Sequence, residues 1–357
     1  LEMAISLDNL EIMKEIDRSN MLSVVEDFPQ QCREAIEMAA NTSLASLDAW
    51  PDSIIVLGMG GSGIGGDVLV SLLQDELTIP LCVNKGYDIP NFVNEKTLVF
   101  AVSYSGNTEE TLNGFNQVLA KGAKVAVVTS GGQLEGMAQR YGLSITKLPT
   151  GYQPRAAIGY LFFPLLIILQ RLNLIKSQTN QIKETLKVLD ELSRNLSPET
   201  SLAQNQAKQI AQHLQGKAPV IYGFDNLTSV AALRWKCQFN ENSKVPAFCH
   251  TFPELNHNEI VGWGLFKDIS KNFTLIFLRD ESEHPQMRKR INITRELIED
   301  QVGDLYEVWA AGDSKLAKIF SAIYLGDFVS VYLAIINNVD PTPVERIELL
   351  KERLKME

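Results

Sequence analysis

Residues 53–67 read SIIVLGMGGSGIGGD: a short β-branched run, Ser53–Gly58, a glycine cluster, Gly58–Asp67, and then a helical stretch, Asp67–Leu73. An apolar strand that turns through glycines into a helix opens a parallel sheet buried on both faces. The pattern recurs. Leu81–Lys85 and Thr97–Ser103 (TLVFAVS) read as strands, about Thr108–Lys121 as a helix, and Lys124–Thr129 (KVAVVT) as a strand. Ala156–Leu169 (AAIGYLFFPLLIIL) is short for a bilayer span and is interrupted by Pro164, so a buried core helix is expected there. Residues 176–218 are polar and rich in Gln and Lys, as helices bridging two domains would be. Beyond them Pro219–Gly223, Phe273–Leu278 and Asp304–Val308 read as strands, with helices over about Met287–Gln301 and Lys315–Asn337. The expected fold is α/β: two doubly wound domains, residues 3–175 and 219–357, each a mostly parallel sheet sandwiched by helices.

The 357 residues are 45% apolar and 21% charged, the proportions of an ordinary globular protein, and are enough for two domains. With 33 basic against 43 acidic residues the net charge is −10, which excludes nucleic acid and anionic membrane surfaces as partners. The polar, acidic start of the chain does not read as a secretory signal. Cys32, Cys82, Cys237 and Cys249 show no CxxC spacing, so free thiols in a reducing cytoplasm are expected.

Gly58, Gly60 and Gly63 satisfy G-x-G-x-x-G, the dinucleotide fingerprint. That fingerprint also wants an acid closing the second strand, and here the strand ends Val83-Asn84-Lys85. No Lys-Ser/Thr closes the cluster either, so a P-loop is excluded. The plainer reading is a tight strand–helix junction. A second loop, Ser103-Tyr104-Ser105-Gly106-Asn107-Thr108-Glu109-Glu110-Thr111, also follows a strand and opens a helix. Ordinary N-capping by Thr108 or Thr111 would need one hydroxyl. This loop offers several beside a glycine-rich neighbour, an anion cradle of hydroxyls, amides and helix N-termini.

The pair GMGGSGIGGD and SYSGNTEET resembles the sugar isomerase (SIS) domain, whose serine-rich loop binds a phosphosugar. Further segments extend the resemblance over nearly the whole chain: Pro154–Tyr160, Gln238–Lys244, Pro253–Ile260, and Asp340–Val344 with Lys351 beyond. They are similar to the bifunctional phosphoglucose/phosphomannose isomerases, a branch of the phosphoglucose isomerase superfamily. The resemblance implies metal-independent interconversion of glucose 6-phosphate or mannose 6-phosphate with fructose 6-phosphate through a cis-enediolate, without a cofactor. It implies a phosphate cradle of Gly60, Gly61, Ser62, Ser103, Ser105 and Thr108.

Such chemistry needs a carboxylate that reaches C1 and C2, a cation beside the developing oxyanion, and groups that open the ring. By resemblance Glu241 is the base; the residues alone rank it no higher than Glu254 or Glu259. Arg155, between Pro154 and an apolar helix start, is either snorkelling or buried for a reason, and the resemblance makes it the enediolate stabiliser. His257 is flanked by Asn256 and Asn258, which could fix its tautomer. The resemblance makes it a ring-opening group contributed to the partner subunit's site, hence a homodimer. On a helical reading Lys351 shares an apolar face with Val344, Ile347 and Leu354, and the resemblance assigns it to ring opening as well. Thr342 is the matching position for a threonine that accommodates both C2 epimers. There is no HExxH, HxH or CxxC, so no metal is expected. Two other readings stay open: a non-catalytic SIS phosphosugar sensor, and an isomerase of another sugar phosphate.

Overall fold

The computed structural model describes residues 5–47, 50–224 and 227–354. Packing divides the chain into two compact units: Asp27–Lys187 with Asp313–Ala317, and Leu1–Glu26 with Val188–Gly312 and Lys318–Glu357. The polar segment 176–218 forms the helices Thr179–Leu196 and Gln206–Leu214, and the division falls inside the first of them.

In the first unit β1 (Ser53–Leu57), β2 (Leu81–Asn84), β3 (Thr97–Val102), β4 (Lys124–Thr129) and β5 (Ser144–Lys147) form a sheet of order β2-β1-β3-β4-β5. Every pairing is parallel. Strands alternate their side chains between two faces, and both faces here are apolar. Ile55, Leu57, Val99, Ala101, Val125 and Val127 pack on Phe115, Val118, Leu134 and Ala138. Behind the sheet the helix Ile158–Arg171 is buried from Ile158 to Leu169 and lies against the helices Phe28–Asn41 and Gly60–Leu73. The core-helix reading of this stretch holds. The helix after the glycine run begins at Gly60, not Asp67, because most of the glycines are helical residues that let it approach its neighbours closely.

In the second unit β6 (Ala218–Phe224), β7 (Phe248–Phe252), β8 (Phe273–Arg279) and β9 (Asp304–Trp309) form a parallel sheet of order β7-β6-β8-β9. This repeats the order β2-β1-β3-β4 of the first sheet. Thr228, opening the helix after β6, donates its hydroxyl to the Leu278 carbonyl at the end of β8 (3.1 Å). The helix Lys315–Ile336 has the length and apolarity of a membrane span, yet that span is wholly buried within the protein, making it a core helix. All four cysteines are free thiols.

Candidate active site

The first unit presents the glycine helix, the serine loop and the Arg155 turn at the carboxyl ends of its strands, where open α/β sheets bind ligands, whereas in the second unit Glu241 lies between the helix Thr228–Gln238 and β7, at the amino ends of its parallel strands. In the first unit the helices Gly60–Leu73 and Glu109–Ala120 both begin without a side-chain cap. Thr108 stands at the N-cap but its hydroxyl pairs with Ser103 Oγ at 2.9 Å, so the ordinary capping reading is not realised. Ser103, fully buried, also accepts the Gly106 N–H at 3.1 Å, while Ser105 is exposed. Ser62, also buried, accepts the Tyr104 N–H at 3.1 Å and so fastens the glycine helix to the serine loop.

Two glycines are dictated by close approach. A Cβ on Gly61 would lie 2.6 Å from the carbonyl of Pro154 and 2.8 Å from the nitrogen of Arg155. Gly106 has φ +67°, and a Cβ there would lie 1.7 Å from the Gly131 carbonyl oxygen. Further along the run, Gly65 meets the Leu161 backbone and Gly66 the side chains of Val56 and Val83. The cluster therefore serves both readings: its start brings a helix N-terminus and the Arg155 turn together, and its end is a tight packing junction. At the end of β2, Lys85 pairs with Asp67 at 2.5 Å, so the cation beside the glycine helix is already matched.

Arg155 sits in the turn Pro154–Ala156 and is 3% exposed, which settles the choice between snorkelling and burial. Gln31 braces this turn: its amide donates to the Ala156 carbonyl (2.9 Å) and accepts the Gly159 N–H (2.8 Å). Tyr104 braces it from the other side, donating its hydroxyl to the Pro149 carbonyl (2.8 Å) and accepting the Tyr152 N–H (2.9 Å). Burial raises the Tyr104 phenol above its ordinary pKa and keeps it a donor.

In the second unit the helix Thr228–Gln238 runs into a π-turn, Phe239–Ser243, that carries Glu241 part-buried at its centre. Such wide turns are uncommon and frequently mark functional sites. A buried polar network holds this one. Asn242 donates to Ser330 Oγ (2.9 Å) and Ser243 to the Ser330 carbonyl (2.5 Å). Gln238 donates to Asp327 (3.0 Å), which Arg234 grips through two nitrogens at 2.9 and 2.7 Å. Lys244, in the left-handed region at φ 57°, closes the turn and donates to the carbonyls of Glu241 (2.5 Å) and Pro341 (2.9 Å). Lys244 thus brings the Glu241 turn beside the segment that bears part-buried Thr342.

His257 ends a short 3₁₀ turn after β7 and is exposed. Its asparagine neighbours do not fix its tautomer: Asn256 donates to Thr294 (2.7 Å), and Asn258 donates to Glu254 (2.8 Å) and accepts the Glu259 N–H (2.7 Å). Lys351 lies on the helix Glu345–Leu354, which contains no buried residue, and its expected stripe-mates Ile347 and Leu354 are 39% and 55% exposed. Among the described residues no group of three or more His, Cys, Asp or Glu side chains could hold a metal ion. Sequence reasoning gave no role to Gln31, Asn242 or Lys244; the last two lie in the matching segment Gln238–Lys244, but their partners, like those of Gln31, are remote or backbone.

Two parallel sheets of shared strand order, with a serine loop and a glycine helix at the strand ends of the first, define a double-SIS architecture. Residues 49–146 match the SIS domain and residues 203–354 the bacterial phospho-glucose isomerase C-terminal SIS domain. A bifunctional phosphoglucose/phosphomannose isomerase of Caldicellulosiruptor bescii is 44% identical over 334 residues, covering 94% of this chain and 98% of that one. Another, from Aquifex aeolicus, is 39% identical over 303 residues, covering 85% and 90%. The crystal structure of a glucose-6-phosphate isomerase like protein from Thermus thermophilus has the same fold, with a TM-score of 0.64 at 20% identity over 95% of this chain and 98% of that one. The chain belongs to the bifunctional phosphoglucose/phosphomannose isomerase family, and it is an isomerase.

Proposed function

We propose that the protein interconverts glucose 6-phosphate and mannose 6-phosphate with fructose 6-phosphate. The observation that carries this reading is the direct seating of the Arg155 turn on Gly61, which joins a permanent cation to a cradle of neutral donors. The phosphate lies on Gly60, Gly61, Ser62, Ser103, Ser105 and Thr108, held by hydroxyls, amides and uncapped helix N-termini. Glu241 takes the C2 proton of the aldose and returns it to C1 of the enediolate while the hydroxyl proton passes from O2 to O1, so no protons or electrons are gained or lost overall. Arg155 stabilises the enediolate oxygens, His257 and Lys351 assist ring opening, and Thr342 accommodates either C2 epimer. The reaction so written uses no metal or cofactor.

His257 serves the site of a second copy in a homodimer. Its exposure supports this, as do the exposed apolar side chains that follow it: Val261 (84%), Leu265 (80%), Phe266 (63%) and Ile269 (57%). Mixing His257→Ala and Glu241→Gln chains should restore activity in the exchanged dimer, and no restoration after proven exchange counts against shared sites. A coupled assay with glucose, mannose and glucosamine 6-phosphates, with and without chelator, tests the whole reading. Chelator-resistant turnover of the first two supports it. Turnover of glucosamine phosphate alone points to another sugar phosphate, and binding without turnover points to a sensor.

A further inference from the structure

Gln31 is a buried amide, 1% exposed, in the helix Phe28–Asn41, and burying an amide is costly unless both its ends are bonded. Both ends are bonded here to backbone groups on the C-terminal side of Arg155: the Ala156 carbonyl and the Gly159 N–H. The helix Ile158–Arg171 has no side-chain cap of its own at Ala157, so a side chain 128 residues away in sequence serves one of its orphan N–H groups. Tyr104 acts on the N-terminal side. Its phenol tip bridges the Pro149 carbonyl and the Tyr152 N–H, while its backbone belongs to the serine loop and bonds Ser62 Oγ and Ser130.

We propose that Gln31 and Tyr104 are positioning residues that set the Arg155 turn against the anion cradle, and that Tyr104 couples occupancy of the serine loop to the placing of the Arg155 guanidinium. The proposal rests on the isomerase reading and on the role given there to Arg155. Neither side chain touches the reacting atoms; each acts through the backbone that carries the arginine. A turn fixed on one side by a helix and on the other by the ligand's own loop holds its cation for the developing charge.

The experiment uses the full chain with Gln31→Glu, Gln31→Met and Tyr104→Phe, each also in an Arg155→Lys background. Gln31→Glu keeps the shape and the acceptor for Gly159 but sets a carboxylate oxygen, and with it a buried charge, against the Ala156 carbonyl; Tyr104→Phe removes one oxygen. Inorganic phosphate, as a competitive inhibitor, reports on the cradle alone. Each single variant should lower kcat by about 10- to 100-fold, the scale of a small misplacement of a catalytic group, while KM and phosphate inhibition change less than about threefold. In the Arg155→Lys background the further loss should nearly vanish, since residues that act as one unit are not additive. Unchanged kcat in the single variants, or the same loss with and without the Arg155 substitution, overturns the proposal. Should the Gln31 variants fail to fold, Tyr104→Phe decides it. Full activity of Arg155→Ala would remove the arginine's role and the proposal with it, whereas an inactive Arg155→Ala beside unaffected Gln31 and Tyr104 variants overturns this proposal alone.

Discussion

The hydroxyl of Ser62 accepts the backbone N–H of Tyr104 at 3.1 Å and joins two loops that lie 42 residues apart in sequence. The bond leaves the Ser62 proton to turn toward a ligand, so on the proposed reading one side chain both builds the cradle and completes it. Ser62→Ala should raise the KM for the sugar phosphate and weaken competition by inorganic phosphate together. It should also cost about 1–2 kcal/mol of stability, measured by urea unfolding, because a buried N–H loses its partner.

Glu241→Gln keeps the size of the side chain and removes the base. Isomerisation should fall at least about 10²- to 10⁴-fold, while fructose 6-phosphate still protects the protein in a thermal shift assay. Substantial residual turnover would mean that another carboxylate moves the proton. Asn242→Ala, which cuts the tie to Ser330, should lower kcat without abolishing it.

Gly106→Ala introduces a Cβ at φ +67°, where the Gly131 carbonyl already stands. The serine loop must then move. Loss of phosphate competition should be larger than for Ser62→Ala, and the melting temperature should drop. A variant with unchanged phosphate binding would show that the loop's shape is not what holds the anion.

Asp327 lies fully inside the second unit, and burial raises its pKa despite the opposing charge of Arg234. Removing the arginine strands a buried carboxylate, at a cost of about 3–5 kcal/mol. Because the folded-state pKa lies above the unfolded one, stability falls as pH rises through it, and the Arg234→Ala variant should feel this more strongly. Unfolding by urea at pH 5 and pH 8 should show a wider gap from the parent protein at pH 8. Asp327→Asn in the same background should narrow it.

Glu26 is pushed up to about 7, first by burial and then by the nearby charge of Glu199. Its folded form therefore binds a proton more tightly than the unfolded chain does. Its contribution is fully present below the ordinary glutamate pKa of 4.5 and is lost as pH rises through about 7. Glu26→Gln should raise the melting temperature relative to the parent above pH 7 and have little effect near pH 4.5. A difference that does not change with pH would refute the assignment.

Much of this arrangement was open to reading in the residues. β1, β3, β4, β6 and β8 announce themselves as continuous apolar runs, since both faces of each sheet are covered. β5 and β7 do not. Ser144 and Thr146 of β5 point their hydroxyls at Ser46 (2.7 Å) and Thr42 (2.8 Å), partners that no local pattern reveals. β7 is an edge strand whose first residue, Phe248, is 53% exposed. At the site, the two loops are visible because glycine and hydroxyl runs are rare between a strand and a helix. The π-turn around Glu241 is not, because an extra residue in a turn leaves no mark in composition. The anchor of that turn at Ser330 lies 88 residues from Asn242. His257 and Lys351 stand out in sequence only through resemblance; both are exposed within their own unit.

The two sheets share a strand order, yet the loops after β3 and β8 have opposite contents. After β3 come neutral hydroxyls. After β8 comes a knot of opposite charges: Arg279 holds Glu283 through two nitrogens at 2.7 and 2.8 Å and also bonds Glu307, while Lys318 holds Asp280 at 2.9 Å. Arg279, Asp280 and Glu283 are each no more than 6% exposed. On the proposed reading, the knot fills with the protein's own ions the place that the first sheet keeps for the phosphate. On the proposed chemistry, duplication leads to a division of labour: one half receives the phosphate, and the other supplies the base.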